Sequence, residues 1–118
     1  MYSRVTLDEV EVRDLDATEP SLKAVGYELR PERMRPNVWV YEAGESSNRH
    51  YQREQEELYH VLSGRFEVTV DDETFEAGPG EVIVVPPEAE RKLTATAAGE
   101  VFVVGAPNAK DDGVVVEE

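Results

Sequence analysis

The sequence predicts an all-β fold, a small sandwich or β-barrel. Short apolar runs recur about every ten residues through its second half, and turn-forming residues separate them. The length of 118 residues suits a single domain, 1–118, built on one core.

Val10 to Leu15 alternates weakly, Ser21 to Gly26 suits one helical turn, and Val25 to Leu29 reads as a strand. Pro31 and Pro36 bound an irregular link, after which Val38 to Glu42 (VWVYE) is a strand. Gln52 to Leu58 has helix-forming composition, with Asn48 placed to cap it. That segment nevertheless runs through Ser63-Gly64 straight into an alternating strand, so strand, tight loop, strand is the expected order. Arg65 to Val70 (RFEVTV) alternates with period two, Asp71-Asp72-Glu73 supplies the turn, and Thr74 to Ala77 completes a hairpin. Gly78-Pro79-Gly80 breaks the chain again. Val82 to Val85 is continuously apolar and ends at Pro86-Pro87, the pattern of a strand covered on both faces. Leu93 to Ala97 and Val101 to Gly105 flank a turn at Ala98-Gly99. The acidic tail after Pro107 is expected to be loosely held, with Val114 to Val116 able to pair at a sheet edge.

Charge narrows the partners. Twenty-six acids against twelve bases leave a net charge of −14. Such a surface repels nucleic-acid phosphates and anionic membranes, so neither is an expected partner. No apolar run approaches the roughly 20 residues that span a bilayer. The first residues lack a basic segment followed by an apolar one, which predicts no secretory signal and a cytoplasmic location. There is no cysteine, which removes disulfides, thiolate metal sites and cysteine nucleophiles.

Gly44 to Gly64, GESSNRHYQREQEELYHVLSG, holds both histidines and a run of carboxylates. Gly44, five residues, His50, Tyr51, Gln52, four residues, Glu57, six residues and Gly64 follow the spacing G-x5-H-x-H-x3–4-E-x6-G. Gly80, five residues and Pro86 begin a second pattern, G-x5-P-x-G-x2-H-x3-N, in which Glu88, Arg91 and Ala95 replace glycine, histidine and asparagine. These two patterns are those of the cupin family, which the chain resembles over about residues 38 to 105. The resemblance implies a small β-barrel of the double-stranded β-helix (jelly-roll) type, with the N-terminal strands and acidic tail packed around it. It also implies a pocket inside the barrel and, frequently, a homodimer.

In cupins the four motif positions bind one divalent metal, commonly iron, manganese, nickel or zinc. By position that set here is His50, Gln52, Glu57 and Arg91. Period two keeps His50 and Gln52 on one strand face, with Glu57 returning on the next strand. An amide oxygen is a poor ligand for iron, nickel or zinc, and a guanidinium offers donors only. The expected pocket is therefore metal-free, with Arg91 replacing the metal's charge through a forked bond to Glu57. Manganese-like binding through His50, Gln52, Glu57 and water stays open. So does a purely structural Glu57–Arg91 pair, or capture of a carboxylate or phosphate by Arg91.

Tyr59 and Val61 share the Glu57 face and are expected in the pocket lining, while Trp39 and Tyr41 would form an aromatic wall. His60 falls on the opposite face, at the surface or an interface. Gly78-Pro79-Gly80 lacks the third glycine of a dinucleotide loop, and no Gly-x-Ser-x-Gly elbow exists. Three functional classes follow. One is a binder of a small molecule, with anions among the candidates; the second is an isomerase or dioxygenase with weakened metal ligation. The third is an occluded structural or regulatory barrel.

The acids are spread along the chain rather than gathered in a tail, which favours adaptation to molar salt in a halophilic, for instance archaeal, source. There the Debye length falls to about 3 Å and self-repulsion largely disappears. The melting temperature is therefore expected to rise steeply from low to molar salt. A melting temperature indifferent to salt would count against this reading.

Overall fold

In a computed structural model, residues 1–15 and 20–117 are described. The strands are β1 (Val12–Arg13), β2 (Ser21–Lys23), β3 (Arg35–Tyr41), β4 (His50–Gln52), β5 (Glu56–Val61) and β6 (Arg65–Val70). They continue as β7 (Glu73–Ala77), β8 (Val82–Val85), β9 (Arg91–Ala97), β10 (Gly99–Ala106) and β11 (Gly113–Val115). One short helix, α1 (Val25–Leu29), joins β2 to β3. The strands form two antiparallel sheets, ordered β1-β2-β3-β10-β5-β8 and β11-β4-β9-β6-β7. The all-β expectation holds.

The inward faces of both sheets build the core. Tyr41, Val61, Phe66, Val68, Ala77, Val85, Leu93, Ala95 and Val101 are buried together. The Tyr41 and Phe66 rings meet edge to face, with centroids 5.0 Å apart and planes at 78°, the arrangement their quadrupoles favour. Gly64 closes the β5–β6 turn at φ +82°, where an added Cβ would lie 2.7 Å from the Ala98 carbonyl oxygen. The turns at Gly64 and Gly99 thus pack backbone to backbone and seal that end of the barrel.

The expected strand, tight loop, strand order holds across Gln52 to Leu58, where β4 and β5 find backbone partners in β11, β9, β10 and β8. Several other local expectations are corrected. Val25 to Leu29 is helix rather than strand, and the preceding Ser21 to Lys23 is strand rather than helical turn. The reason is tertiary: β2 pairs with β3 at Leu22↔Trp39. The chain must then reverse, and the Tyr27 and Glu28 amides both donate to the Ala24 carbonyl. Within α1 only Val25 is buried, while Tyr27 is exposed and covered by the Arg13 and Arg30 guanidiniums. Pro36 lies inside β3 instead of bounding a link. Val82 to Val85 is an edge strand covered on one face only: Val85 is buried, whereas Val82 and Val84 are 56% and 54% exposed. Within Val10 to Leu15, only Val12 and Arg13 are strand.

The chain after Pro107 is held more firmly than its composition suggests. β11 pairs with β4 at the sheet edge, Gly113↔Gln52 to Val115↔His50. The buried Asp112 carboxylate accepts the Glu54 amide at 2.9 Å and the Gln55 amide at 2.8 Å. Its own carbonyl accepts the Arg53 amide at 3.1 Å. Asp112 therefore fixes the β4–β5 turn.

Burial alone would raise the Asp112 carboxyl, but the amides of Gln55, Glu54 and Arg53 outweigh it and hold it below its ordinary 3.8. A depressed folded-state value stabilises the fold fully above the unfolded value and loses that contribution as pH falls through the folded one. Asp112→Asn is therefore expected to unfold at lower urea than the parent near neutral pH. The gap between their midpoints should narrow as pH falls below 3.8 and close once the folded-state carboxyl is protonated, when both side chains are neutral. A gap constant with pH would contradict the role of the charge.

Candidate functional site

Between the two sheets lies a cavity of about 240 Å³. Trp39 and Tyr41 of β3, His50 and Gln52 of β4, and Glu57 and Tyr59 of β5 line it. Alternation decides this, since each pair is two apart on one strand and projects to one face. Ser47, Asn48, Leu93, Val103, Gly113 and Val115 complete most of the wall. Val61, expected to line the pocket beside Tyr59, is instead wholly buried in the core. His60 is partly exposed and lies outside the cavity.

The polar groups form a connected set around Glu57. The Tyr59 hydroxyl donates to Glu57 Oε1 at 2.7 Å. His50 Nε2 stands 4.0 Å from the same oxygen. His50 Nδ1 lies 2.9 Å from the Asn48 carbonyl oxygen, which can only accept, so Nδ1 carries the hydrogen. In the neutral ring Nε2 therefore keeps its lone pair. Burial, then the Glu57 charge, push the Tyr59 hydroxyl well above its ordinary value, and Arg91 only partly offsets them. Tyr41 is likewise raised, by burial first and with Ser47 opposing it. Both phenols stay protonated donors.

Arg91 begins β9 with 0% exposure. Its Nη2 donates to the Val85 and Pro86 carbonyls at 3.3 and 3.1 Å, and its Nε lies 3.7 Å from Glu57 Oε1. The forked bond expected from the sequence is not formed. Nε and Nη1 have no hydrogen-bond partner among the described residues. Arg91 lies behind Glu57 and outside the cavity lining, held by carbonyls rather than presented to a ligand.

Beyond Gln52, Glu57 and Trp39 the space continues into a second chamber of about 240 Å³, walled by Arg35, Asn37, Gln55, Asp111 and Asp112. The C-terminal residues lining both chambers were not singled out as site residues from the sequence. The available signal was the apolar Val114 to Val116 run after Gly113.

The sequence model of the cupin domain family matches residues 37–105, more than half of the chain. The chain belongs to the cupin family. An uncharacterised protein of Methanocaldococcus jannaschii is 28% identical over 90 residues, covering 68% of this chain and 71% of that protein. Among solved structures, a cupin-superfamily sugar phosphate isomerase from Silicibacter pomeroyi superposes with TM-score 0.81 at 22% identity, covering 98% and 82% of the two chains. Streptomyces PAC13 with uridine gives 0.79 at 19%, covering 99% and 92%; Pac13 is described as a nucleoside dehydratase. At these identities the structural likeness establishes the barrel and leaves its ligand open.

Cupins often bind a metal, and the donor set of this cupin departs from what one needs. Among the described residues, no three His, Cys, Asp or Glu side chains gather closely enough to hold an ion. His50 and Glu57 are suitable ligands; Gln52 is a weak one, and Arg91 brings a fixed positive charge to within 3.7 Å of Glu57. That charge opposes a dication, and the residues present do not fit the family's metal.

A buried charge left without its counterpart is strongly destabilising. Glu57→Gln is therefore expected to lower stability by about 3 kcal/mol, because Arg91 stays charged and enclosed. Adding Arg91→Met should recover most of that loss, measured by urea unfolding. Additive losses in the double variant would show that the two charges do not compensate each other.

Proposed function

We propose that this cupin binds a small, uncharged, hydroxyl-rich molecule with a planar ring, such as a nucleoside or sugar derivative, without a metal. One observation carries the reading: Glu57 is already balanced by Arg91, so the cavity needs no ionic ligand. Around that balanced carboxylate stand His50, Gln52 and Tyr59 as hydrogen-bonding groups, with Trp39 as an apolar wall. Mixed apolar and polar lining of this kind suits a ring carrying hydroxyls. This narrows the ligand expected from the sequence, because Arg91 is wholly buried and does not line the cavity. Uridine in the PAC13 structure is a compound of this class in a barrel of the same shape.

A second reading, proton-transfer catalysis, is favoured by the His50 geometry. Its Nδ1–H is anchored on Asn48, which leaves Nε2 as a base at the cavity wall. A base so placed would remove a proton from a carbon or hydroxyl of the bound molecule.

Thermal shift against nucleosides, sugars and their phosphates tests both readings. Stabilisation by uncharged members that survives chelation and disappears in His50→Ala supports the binding proposal. Ligand binding that requires added manganese, iron, nickel or zinc would overturn its metal-free part. Turnover of a bound compound that is lost in His50→Gln while binding persists would establish the catalytic reading.

A further inference from the structure

We propose that a groove outside the barrel, between α1, β3 and the β10–β11 loop, is a second site, and that it binds the phosphate group of a small molecule. The groove encloses about 440 Å³, and Arg30, Arg35 and Lys110 line it together with the amide side chains of Asn37 and Asn108. Among the described residues, no carboxylate lines it. In a chain with 26 acids and 12 bases, three cations gathered without an acid are a marked segregation of charge. Glu28 and Glu32, close in sequence, are exposed and lie outside the lining.

Among the described residues, these cations are not taken up by acids. The ion pairs among the described residues involve Lys23, Arg49, His50 and Arg91, and none involves Arg30, Arg35 or Lys110. Two of the three are nevertheless held in place. The Arg30 guanidinium lies 4.4 Å from the centre of the Tyr27 ring. Arg35 Nη1 donates to the Ala109 carbonyl at 3.0 Å, which leaves its other donors for a ligand. The Asn108 amide donates to the Pro31 and Glu32 carbonyls, tying together the two loops that carry Arg30 and Lys110.

Arg30 itself adopts φ 56° at the end of α1, a position where glycine is the ordinary occupant. An arginine kept in a left-handed conformation brings a charge to a place that backbone economy alone would give to glycine. Guanidiniums are permanently charged and match phosphate oxygens in pairs, while the ammonium of Lys110 adds a mobile third charge. Donors already oriented lose less freedom on binding.

Arg35 and Asn37 also line the second barrel chamber, whereas Arg30, Asn108 and Lys110 line the groove alone. The proposal is therefore tested through Arg30 and Lys110, which no part of the barrel interior uses.

The test is calorimetric titration of the full chain with pyrophosphate and with methyl phosphate, at the lowest ionic strength at which its melting curve shows it folded, since salt screens the interaction. Saturable binding at one site is expected, weakening as salt is added. Arg30→Gly/Lys110→Ala should reduce affinity at least about tenfold without lowering the melting temperature, because both side chains are exposed and glycine suits the left-handed conformation of Arg30. His50→Ala should leave pyrophosphate affinity unchanged. A preference for pyrophosphate assigns the site to inorganic anions, and a preference for methyl phosphate assigns it to organic phosphates. Absence of saturable binding, or binding abolished by His50→Ala and untouched by the double variant, overturns the proposal.

Discussion

Arg91 is the side chain on which the interior of this barrel depends. It carries a permanent charge with no exposed surface, and burying such a charge is expensive unless an opposite charge and hydrogen-bond acceptors surround it. Two carbonyls at the end of β8 take one end of the guanidinium, and Glu57 neutralises it from β5. The same carboxylate then accepts the Tyr59 hydroxyl and faces His50. One charge thus joins β5, β8 and β9 and sets the electrostatic state of the cavity wall. Arg91 also stands where the cupin pattern has a histidine, and it brings a fixed positive charge to within 3.7 Å of Glu57.

The second constraint comes from the end of the chain. β11 adds a short edge strand to β4, and Asp112 caps the amides of the turn that separates His50 and Gln52 from Glu57. Those amides would otherwise lie at the rim without partners, and a carboxylate meets them with charge-assisted bonds. Gly113 and Val115 then become part of the cavity wall. The positions of the polar residues and the closure of the cavity are therefore coupled through one aspartate.

Charge outside the barrel is distributed unevenly. Lys23 is buried and paired with Glu100 at 3.6 Å, and Arg49 holds Glu90 at 2.7 Å, so some of the few bases tie distant segments together. Arg30, Arg35 and Lys110 do not, and they gather beside α1. The outer row of Val82, Val84 and Leu58 on the six-stranded sheet is, in contrast, apolar and exposed. A surface with a net charge of −14 thus contains one basic and one uncharged region, and local composition governs what each can meet.

Much of the barrel is legible in the amino-acid sequence. Alternation places His50 with Gln52 and Glu57 with Tyr59, and puts Trp39 beside Tyr41, because a strand's side-chain period is a local property of the backbone. Turn residues locate the hairpin from Arg65 to Ala77 for the same reason. Other features belong to the fold as a whole. Val25 to Leu29 alternates like a strand but forms a helix, since the chain has to reverse between two paired strands. Val82 to Val85 has the pattern of a doubly covered strand, yet it lies at an edge, and periodicity cannot say how many layers lie across a sheet. The sequence alone determined that a cationic arginine stands where a metal ligand is usual. The tertiary structure decided that its guanidinium turns towards the Val85 and Pro86 carbonyls and does not line the cavity. The physical reason is that a side chain's type is fixed residue by residue, whereas its counter-charge and acceptors are supplied by strands distant in the chain.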